Sequence, residues 1–275
     1  MTPEIQTIFS GLFAMLALAS ACGWWLGRRH PSLSMDNLNA RIRSWWAMIA
    51  VGGVALLLGQ NAVVALFALL SWFALREFAA ADPLGAPRAW YFLTVPIQYL
   101  AVAFGWQWLA LLLIPLTGLV MDRQRWLGQM LCVYGLSFVP ALERPEWMLY
   151  LVLIVQASDV LQYLWGRSIG RHAIAPRISP SKTVEGLAGG VISATALGAW
   201  LHHLTPSGPA GAAALALLIT CAGFTGGLVL SAMKRQRQIK DWGTAIAGHG
   251  GVLDRVDSLC LSAPVFYCAA RLMER

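Results

Sequence analysis

Long apolar segments with almost no charge repeat from one end of the chain to the other, and they limit the folds it can adopt. Of its 275 residues, 58% are hydrophobic and 12% are charged, whereas about a quarter of the residues in soluble globular proteins are charged. A helix of roughly 20 apolar residues spans the hydrocarbon core of a bilayer. We therefore expect an all-α, polytopic integral membrane protein with no separate soluble domain.

Ten apolar segments can be delimited, and several of them are short. They are 5–26, 45–59, 62–75, 90–104, 106–121, 126–141, 147–164, 184–203, 210–232 and 256–272. Gly59 and the two residues after it divide the second segment from the third, and Gly105 divides the fourth from the fifth. Either pair could form one helix, so about nine to ten transmembrane helices are expected.

The positions of the basic residues test this count independently, because lysine and arginine accumulate in cytoplasmic loops. If all ten segments span the membrane, 17 of the 20 lysines and arginines fall on one side. The loops on that side are 27–44, 76–89, 122–125, 165–183 and 233–255. This separation predicts a protein of the inner (cytoplasmic) membrane with these loops in the cytoplasm. The net charge of +7 then reflects topology and attraction to anionic headgroups, not nucleic-acid binding.

The loop 233–255 and the residues around it combine bases, glycines and acids in an otherwise apolar chain. Ser231, Lys234 and Arg235 share one face if the preceding helix continues through them. Gly248–Gly251 provide a backbone that can approach a ligand closely and bind an anion through its N–H groups. A nucleotide or phosphate site is therefore predicted here.

Acidic residues follow these glycines, with Asp254 and Asp257 one turn apart at the start of the last apolar segment. Such a pair suits Mg²⁺, which takes one or two carboxylates and completes its shell with water and phosphate oxygens. The alternative is an ion network at a helix start, formed with the neighbouring Arg255. Basic cytoplasmic loops are ordinary in membrane proteins, so the combination with glycines and acids carries the functional interpretation.

Asp159 is a second polar signal, because it lies inside the apolar segment 147–164. A carboxylate within a membrane helix costs about 2.5–3.5 kcal/mol on insertion scales and is by default a candidate for function. The alternative is that it lies near the cytoplasmic end of the helix, hydrated and paired with Arg167.

Two blocks of the C-terminal half resemble the signature of phosphatidate cytidylyltransferases (CDP-diacylglycerol synthases). The first block consists of Ser231, Met233, Lys234, Arg235, Lys240, Asp241, Gly243, His249, Gly250, Gly251, Asp254, Arg255 and Asp257. The second consists of Asp159, Tyr163, Gly166, Arg167, Gly170, Arg171, His172 and the run Ser179, Pro180, Lys182, Thr183, Glu185 and Gly186. Together the blocks cover about 100 residues, whereas the N-terminal half matches only in hydropathy and scattered residues such as Leu75–Phe78.

The resemblance implies transfer of CMP from CTP to phosphatidic acid, with Mg²⁺ as cofactor and the bilayer holding the lipid substrate. It implies that Asp254 binds the metal and that the lysines and arginines hold phosphates. The basic residues concerned are Lys234, Arg235, Lys240, Lys182 and Arg167, and Asp241, His249, Arg255 and Asp257 complete the polar site with Ser231, Gly250 and Gly251.

The chain departs from the family pattern at two acids beside this site. The family has an acid where this chain has Gly227 and another where it has Leu230. Asp159 or Asp241 could take over as second carboxylate, or the ion could be held differently, or the activity could be altered. Our hypothesis is that Asp159 compensates and binds the metal together with Asp254.

Residues 1–145 are thus expected to form N-terminal transmembrane helices and residues 146–275 the catalytic half. Two rival functions stay open. One is CTP-dependent transfer to another lipid, such as a polyprenyl or isoprenoid phosphate, and the other is a catalytically silent membrane scaffold. A homodimer is compatible with the sequence, and a transporter is less favoured because the polar residues gather on one face.

Overall fold

The protein is almost entirely helical. The structure, a computed structural model, describes residues 2–29, 36–85, 87, 89–106, 109–246 and 250–273. Its helices are α1 (Pro3–Arg29), α2 (Asp36–Leu58), α3 (Gln60–Ala80), α4 (Trp90–Ala103), α5 (Leu109–Val120), α6 (Arg123–Gln129), α7 (Pro145–Ile169), α8 (Val184–Trp200), α9 (Pro209–Gln236), α10 (Leu253–Val256) and α11 (Leu259–Met273). A π-helix continues α6 over Met130–Gly135, and single 3₁₀ turns lie at Pro140–Leu142 and His202–Leu204.

Local sequence signals explain several of the helix boundaries. Gly59, with a φ of 95°, separates α2 from α3, because a left-handed residue ends one helix before the next begins. Asp122 caps α6 by accepting a hydrogen bond from the Gln124 N–H at 3.0 Å. Thr183 caps α8 in the same way through the Gly186 N–H at 3.1 Å.

The helices confirm an integral membrane protein, and each of the ten apolar segments contains a helix. Among the described residues, six helices are long and apolar enough to cross a membrane. They are Pro3–Arg29, Asn39–Leu58, Gln60–Ala80, Pro145–Ile169, Pro209–Gln236 and Leu253–Met273. The helix α4 is shorter, with 14 residues. The count of nine to ten transmembrane helices therefore stays a prediction.

Close packing of α7, α8, α9 and the last two helices brings distant chain segments together. Gly190 of α8 lies directly against Gln162 of α7, with no space for a side chain between them. Gly226 of α9 meets the last helices in the same manner, since a Cβ there would lie 3.0 Å from the Cβ of Leu261. These glycines let the helix axes approach closely. The ends of these helices converge on one polar cavity.

A small hairpin interrupts the helical fold between α7 and α8. Strand β1 (Ala173–Ala175) pairs antiparallel with β2 (Ser179–Thr183), with Ala173 opposite Thr183 and an irregularity between the two register positions. The all-α class is therefore correct for the membrane helices, but the loop 165–183 contains this two-stranded sheet. The hairpin holds β2 against the ends of α7 and α8, which places Lys182 at the cavity.

Candidate active site

A cavity of about 280 Å³ opens where α7, β2, α8, α9 and α10 meet. Its walls combine acids, bases and polar side chains that come from five separate elements. The lining residues are Asp159, Gln162, Tyr163, Ser181, Lys182, Thr183, Gly186, Leu187, Phe224, Asp254, Arg255, Asp257 and Ser258. The structure thus brings together five of the charged residues that the sequence singled out: Asp159, Lys182, Asp254, Arg255 and Asp257.

Asp159 and Asp257 meet at one hydroxyl group. The Ser258 Oγ donates to Asp159 Oδ2 at 2.8 Å and lies 3.4 Å from Asp257 Oδ1, which also accepts the Ser258 N–H at 2.8 Å. Asp159 is therefore engaged across the helix interface, and not by Arg167, whose Nη1 donates to the Tyr163 hydroxyl at 2.9 Å. These two carboxylates, one from α7 and one from the turn between α10 and α11, share this corner of the cavity, and we call them the acid pair.

Lys182 of β2 lines the cavity together with the acid pair, without an ion pair of 4.0 Å or less to either carboxylate. Its Nζ lies 4.6 Å from the centre of the Phe224 ring, in a cation–π contact. Desolvation lowers the pKa of the Lys182 ammonium, and the nearby Asp159 and Asp257 carboxylates act in the opposite direction. Lys182 is therefore a partly desolvated cation that interacts electrostatically with the acid pair at the cavity.

Asp254 and Lys234 form a buried ion pair between α10 and α9. The Lys234 Nζ donates to Asp254 Oδ1 at 2.8 Å, and each residue is only 8% exposed. The other oxygen, Asp254 Oδ2, accepts the N–H groups of Trp242 at 2.8 Å and Gly251 at 3.0 Å. Asp254 thus connects the end of α9 to Trp242 and Gly251 in the loop between α9 and α10, so it holds Gly251 in place.

Glu77 at the end of α3 belongs to the same assembly, although sequence reasoning did not select it. Its carboxylate accepts the N–H groups of Val252 and Leu253 at 2.9 Å each, which caps the start of α10. The backbones of Gly243 and Gly251 pack so closely against this carboxylate that neither position has space for a Cβ. The only sequence signal was the short match at Leu75–Phe78, which contains Glu77.

The remaining sequence candidates lie around the cavity and not in its wall. Arg235 is exposed and links the two polar loops, with Nε donating to the Ile178 carbonyl at 3.0 Å. Lys240 and Asp241 are exposed, and Ser231 is half-buried in α9.

Of the glycine segment itself, Gly250 and Gly251 are described and His249 lies outside the described residues. Gly250 has a φ of 80°, a backbone conformation that favours glycine. A Cβ there would lie 2.9 Å from Asp254 Oδ2, so this glycine admits the carboxylate that holds the loop.

Two buried donors in the cavity wall have no protein acceptor among the described residues: Gln162 Nε2 and Arg255 Nε. Buried N–H groups normally have a hydrogen-bond partner, because leaving one unpaired costs about 1–3 kcal/mol. The cavity wall itself is lined by two cationic side chains, Lys182 and Arg255, which suit a phosphate or another anion.

The acid pair also fits the Mg²⁺ that the family resemblance implies. Asp159 and Asp257 provide two carboxylates next to donors suited to phosphate, and Mg²⁺ takes one or two carboxylates with water and phosphate oxygens. Asp254 fits less well, because both its oxygens already accept hydrogen bonds. Within the described part of the chain, no group of three or more histidine, cysteine or acidic side chains is placed to hold a metal.

Comparisons with known proteins identify the family of the chain. The model of the cytidylyltransferase family matches residues 39–273. An uncharacterized protein, YnbB, of Escherichia coli (strain K12) is 35% identical over 96% of this chain and 97% of its own length.

Enzymes named phosphatidate cytidylyltransferase are similar over a shorter stretch. The enzyme of Bacillus subtilis (strain 168) is 36% identical over 49% of this chain, and that of Brucella abortus (strain 2308) is 40% identical over 44%. The chain spans about half the length of these two relatives, 47% and 45% respectively.

Proposed function

The chain belongs to the cytidylyltransferase family and is a nucleotidyltransferase, and from that premise we propose that it transfers CMP from CTP to phosphatidic acid. A phosphate oxygen of phosphatidic acid attacks the α-phosphorus of CTP, and the bond from that phosphorus to the bridging oxygen of pyrophosphate breaks. The products are CDP-diacylglycerol, which stays in the bilayer, and pyrophosphate, which leaves.

The observation that carries this proposal is the polar cavity at the ends of apolar helices. It combines the acid pair with the cationic side chains of Lys182 and Arg255. A water-soluble triphosphate and a lipid phosphate can both reach such a position. The nucleophile is already an anion, so the chemistry requires positioning and charge neutralisation and needs no strong base.

Each part of the site has a role in this reaction. Asp159 and Asp257 would hold Mg²⁺, which supplies charge neutralisation to the phosphates when it is bound. Lys182 and Arg255, which line the same cavity, bind phosphate oxygens. The buried pair Lys234–Asp254 and the Glu77 carboxylate hold the segment Gly250–Gly251 in position beside the cavity.

The basic loops support an orientation for this site. Most lysines and arginines fall in the loops on one side of the predicted topology, and two of those loops contain Lys182 and Lys234. By the positive-inside rule we propose that the site faces the cytoplasm from the inner membrane, where CTP is available.

A transfer assay tests the proposal. Purified protein in mixed micelles receives phosphatidic acid, Mg²⁺ and CTP labelled at the α-phosphorus, and we expect label to enter the lipid phase as CDP-diacylglycerol. Asp254→Ala should abolish the transfer. Because this change also leaves Lys234 unpaired, Asp159→Asn serves as a second variant, and folding of each is checked by gel filtration and thermal unfolding.

The negative outcomes separate the rival functions. Folded protein that transfers no label to phosphatidic acid, but labels a polyprenyl phosphate, would overturn the choice of lipid. Protein that binds CTP but transfers label to neither lipid, while another member of the family is active in the same assay, would indicate a silent scaffold.

A further inference from the structure

Gly227 of α9 lies beside the acid pair, and a side chain at this position would extend into the space between Lys182 and Asp257. A Cβ at this position would lie 3.1 Å from Lys182 Nζ, 3.7 Å from Ser258 Oγ and 4.0 Å from Asp257 Oδ2. Gly227 is itself buried in a regular helix, so a side chain there would have no other direction in which to avoid these atoms. The missing side chain leaves the space into which the Lys182 ammonium extends.

Few protein groups other than the acid pair can neutralise Lys182. Its ammonium makes no hydrogen bond to any residue in the described part of the chain, and it lies 4.6 Å from the centre of the Phe224 ring. The neighbouring Asp254 is already neutralised by Lys234 at 2.8 Å. Lys182 therefore lies near Asp159 and Asp257 but forms no ion pair with a carboxylate of its own in the described part of the chain.

We propose that Lys182 is the internal counter-cation of the acid pair, that the missing side chain at Gly227 admits its ammonium, and that it competes with a divalent cation for Asp159 and Asp257. The proposal deepens the proposed function, on which it rests for the identity of the bound phosphate. In the absence of nucleotide, the ammonium weakens divalent-cation binding at the acid pair.

Nucleotide binding would then assist metal binding. A triphosphate in the cavity attracts the flexible Lys182 ammonium, and both carboxylates become available to the divalent ion. Such coupling is reciprocal, so the ion must raise the affinity for the nucleotide by the same factor as the nucleotide raises the affinity for the ion.

The first test measures Mn²⁺ binding to the full chain in detergent micelles, without nucleotide, by electron paramagnetic resonance of free Mn²⁺. Lys182→Gln removes the competing charge, and we expect it to tighten Mn²⁺ binding about tenfold, the order set by one unit charge within such a cluster. Arg177→Gln is the matched control, because Arg177 is an exposed cation in the same loop and does not line the cavity. Unchanged or weaker Mn²⁺ binding by Lys182→Gln would overturn the proposal.

A second pair of variants tests the space at Gly227. Gly227→Asp adds a carboxylate that draws the Lys182 ammonium to itself and should tighten Mn²⁺ binding about tenfold, as a direct charge effect. Gly227→Asn adds the same volume without the charge and, because its side chain occupies the space of the Lys182 ammonium, should also tighten Mn²⁺ binding, but less than Gly227→Asp does. Wild-type affinity in Gly227→Asn would contradict the role of the space at Gly227. Equal affinities for the two variants would contradict the electrostatic role of this position.

The measurement also separates this proposal from the proposed function. Tighter Mn²⁺ binding by Lys182→Gln, in a protein that transfers no CMP to phosphatidic acid, would overturn the function and support the role of Lys182. If the wild type transfers CMP but Lys182→Gln leaves the Mn²⁺ affinity unchanged, the proposed function is supported and the role of Lys182 is overturned. Adding CTP should tighten Mn²⁺ binding to the wild type more than to Lys182→Gln, and equal tightening would contradict the competition.

Discussion

The Glu77 carboxylate accepts the backbone N–H of Leu253 at 2.9 Å, across 176 residues of sequence. A helix from the N-terminal half therefore caps the short helix that carries Asp254. The adjacent N–H of Val252 binds the same carboxylate. The loop between α9 and α10 is thus held from two directions, by Glu77 and by Asp254, and both carboxylates bind backbone N–H groups.

Glu77→Ala should release this cap. Two charge-assisted hydrogen bonds to the start of α10 are lost, and the free energy of unfolding should fall by about 1–3 kcal/mol. CMP transfer should fall further than stability alone explains, because the loop that carries Gly251 loses its support. Thermal unfolding and the transfer assay measure the two effects. Glu4→Gln, which removes an exposed acid of α1, is the control and should change neither.

Lys234 and Asp254 should show strong energetic coupling in a double-mutant cycle. Lys234→Met or Asp254→Asn alone leaves a buried charge unpaired, which costs about 3–5 kcal/mol. The double variant should lose clearly less stability than the sum of the two single variants. The partly exposed pair Arg271–Glu143, at 3.8 Å, provides a comparison cycle with an expected coupling of about 0–1 kcal/mol. Additive losses for Lys234 and Asp254 would contradict a mutually stabilised pair.

Gly251→Ala should impair both folding and transfer. The new methyl group would overlap the Glu77 carboxylate, and overpacking of this kind typically costs about 1–3 kcal/mol. Gly52→Ala is a suitable control, since no atom lies within 4 Å of a Cβ at that position in α2. It should leave transfer intact and slightly raise stability, because alanine favours a helix. Unchanged stability and transfer in Gly251→Ala would show that the Glu77 carboxylate can shift to make space for the methyl group.

Asp159→Asn and Asp241→Asn together decide which acid acts as the second carboxylate. Asp159 lines the cavity and accepts the Ser258 hydroxyl, whereas Asp241 is exposed outside it. We therefore expect transfer to fall about 100-fold or more in Asp159→Asn, as for other charged groups that stabilise a reacting centre, and to fall much less in Asp241→Asn. Activity is measured over a range of Mg²⁺ concentrations. Full Mg²⁺-dependent turnover by Asp159→Asn would end the hypothesis that Asp159 compensates.

The helical segments could be predicted because their signal is local. A long run without charge can satisfy its backbone hydrogen bonds in a membrane only as a helix, or as part of a closed barrel that needs a different pattern. The hairpin at Ala173–Ala175 and Ser179–Thr183 could not be predicted in this way, since its short strands show no alternation of apolar and polar residues. It is held in place by contacts with α7 and α8.

The sequence could predict which residues belong to the site, but not which of them contact each other. Family resemblance singled out Asp159, Lys182 and Asp254, and all three line one cavity. Glu77 was missed because it binds backbone N–H groups far along the chain, and such a contact requires no particular partner residue. Leu230, where the family has an acid, is fully buried in the apolar core, so this part of the departure places no charge at the site.

The sequence by itself determined that this is a helical membrane protein with its polar chemistry in the loops 165–183 and 233–255, because hydrophobicity and charge act locally. Tertiary structure decided which charge faces which. Asp254 and Asp257 are three residues apart, yet one pairs with Lys234 and the other meets Asp159 across Ser258. Those partners come from α9 and α7, and only the packing of the helices around their glycines brings them within hydrogen-bonding distance.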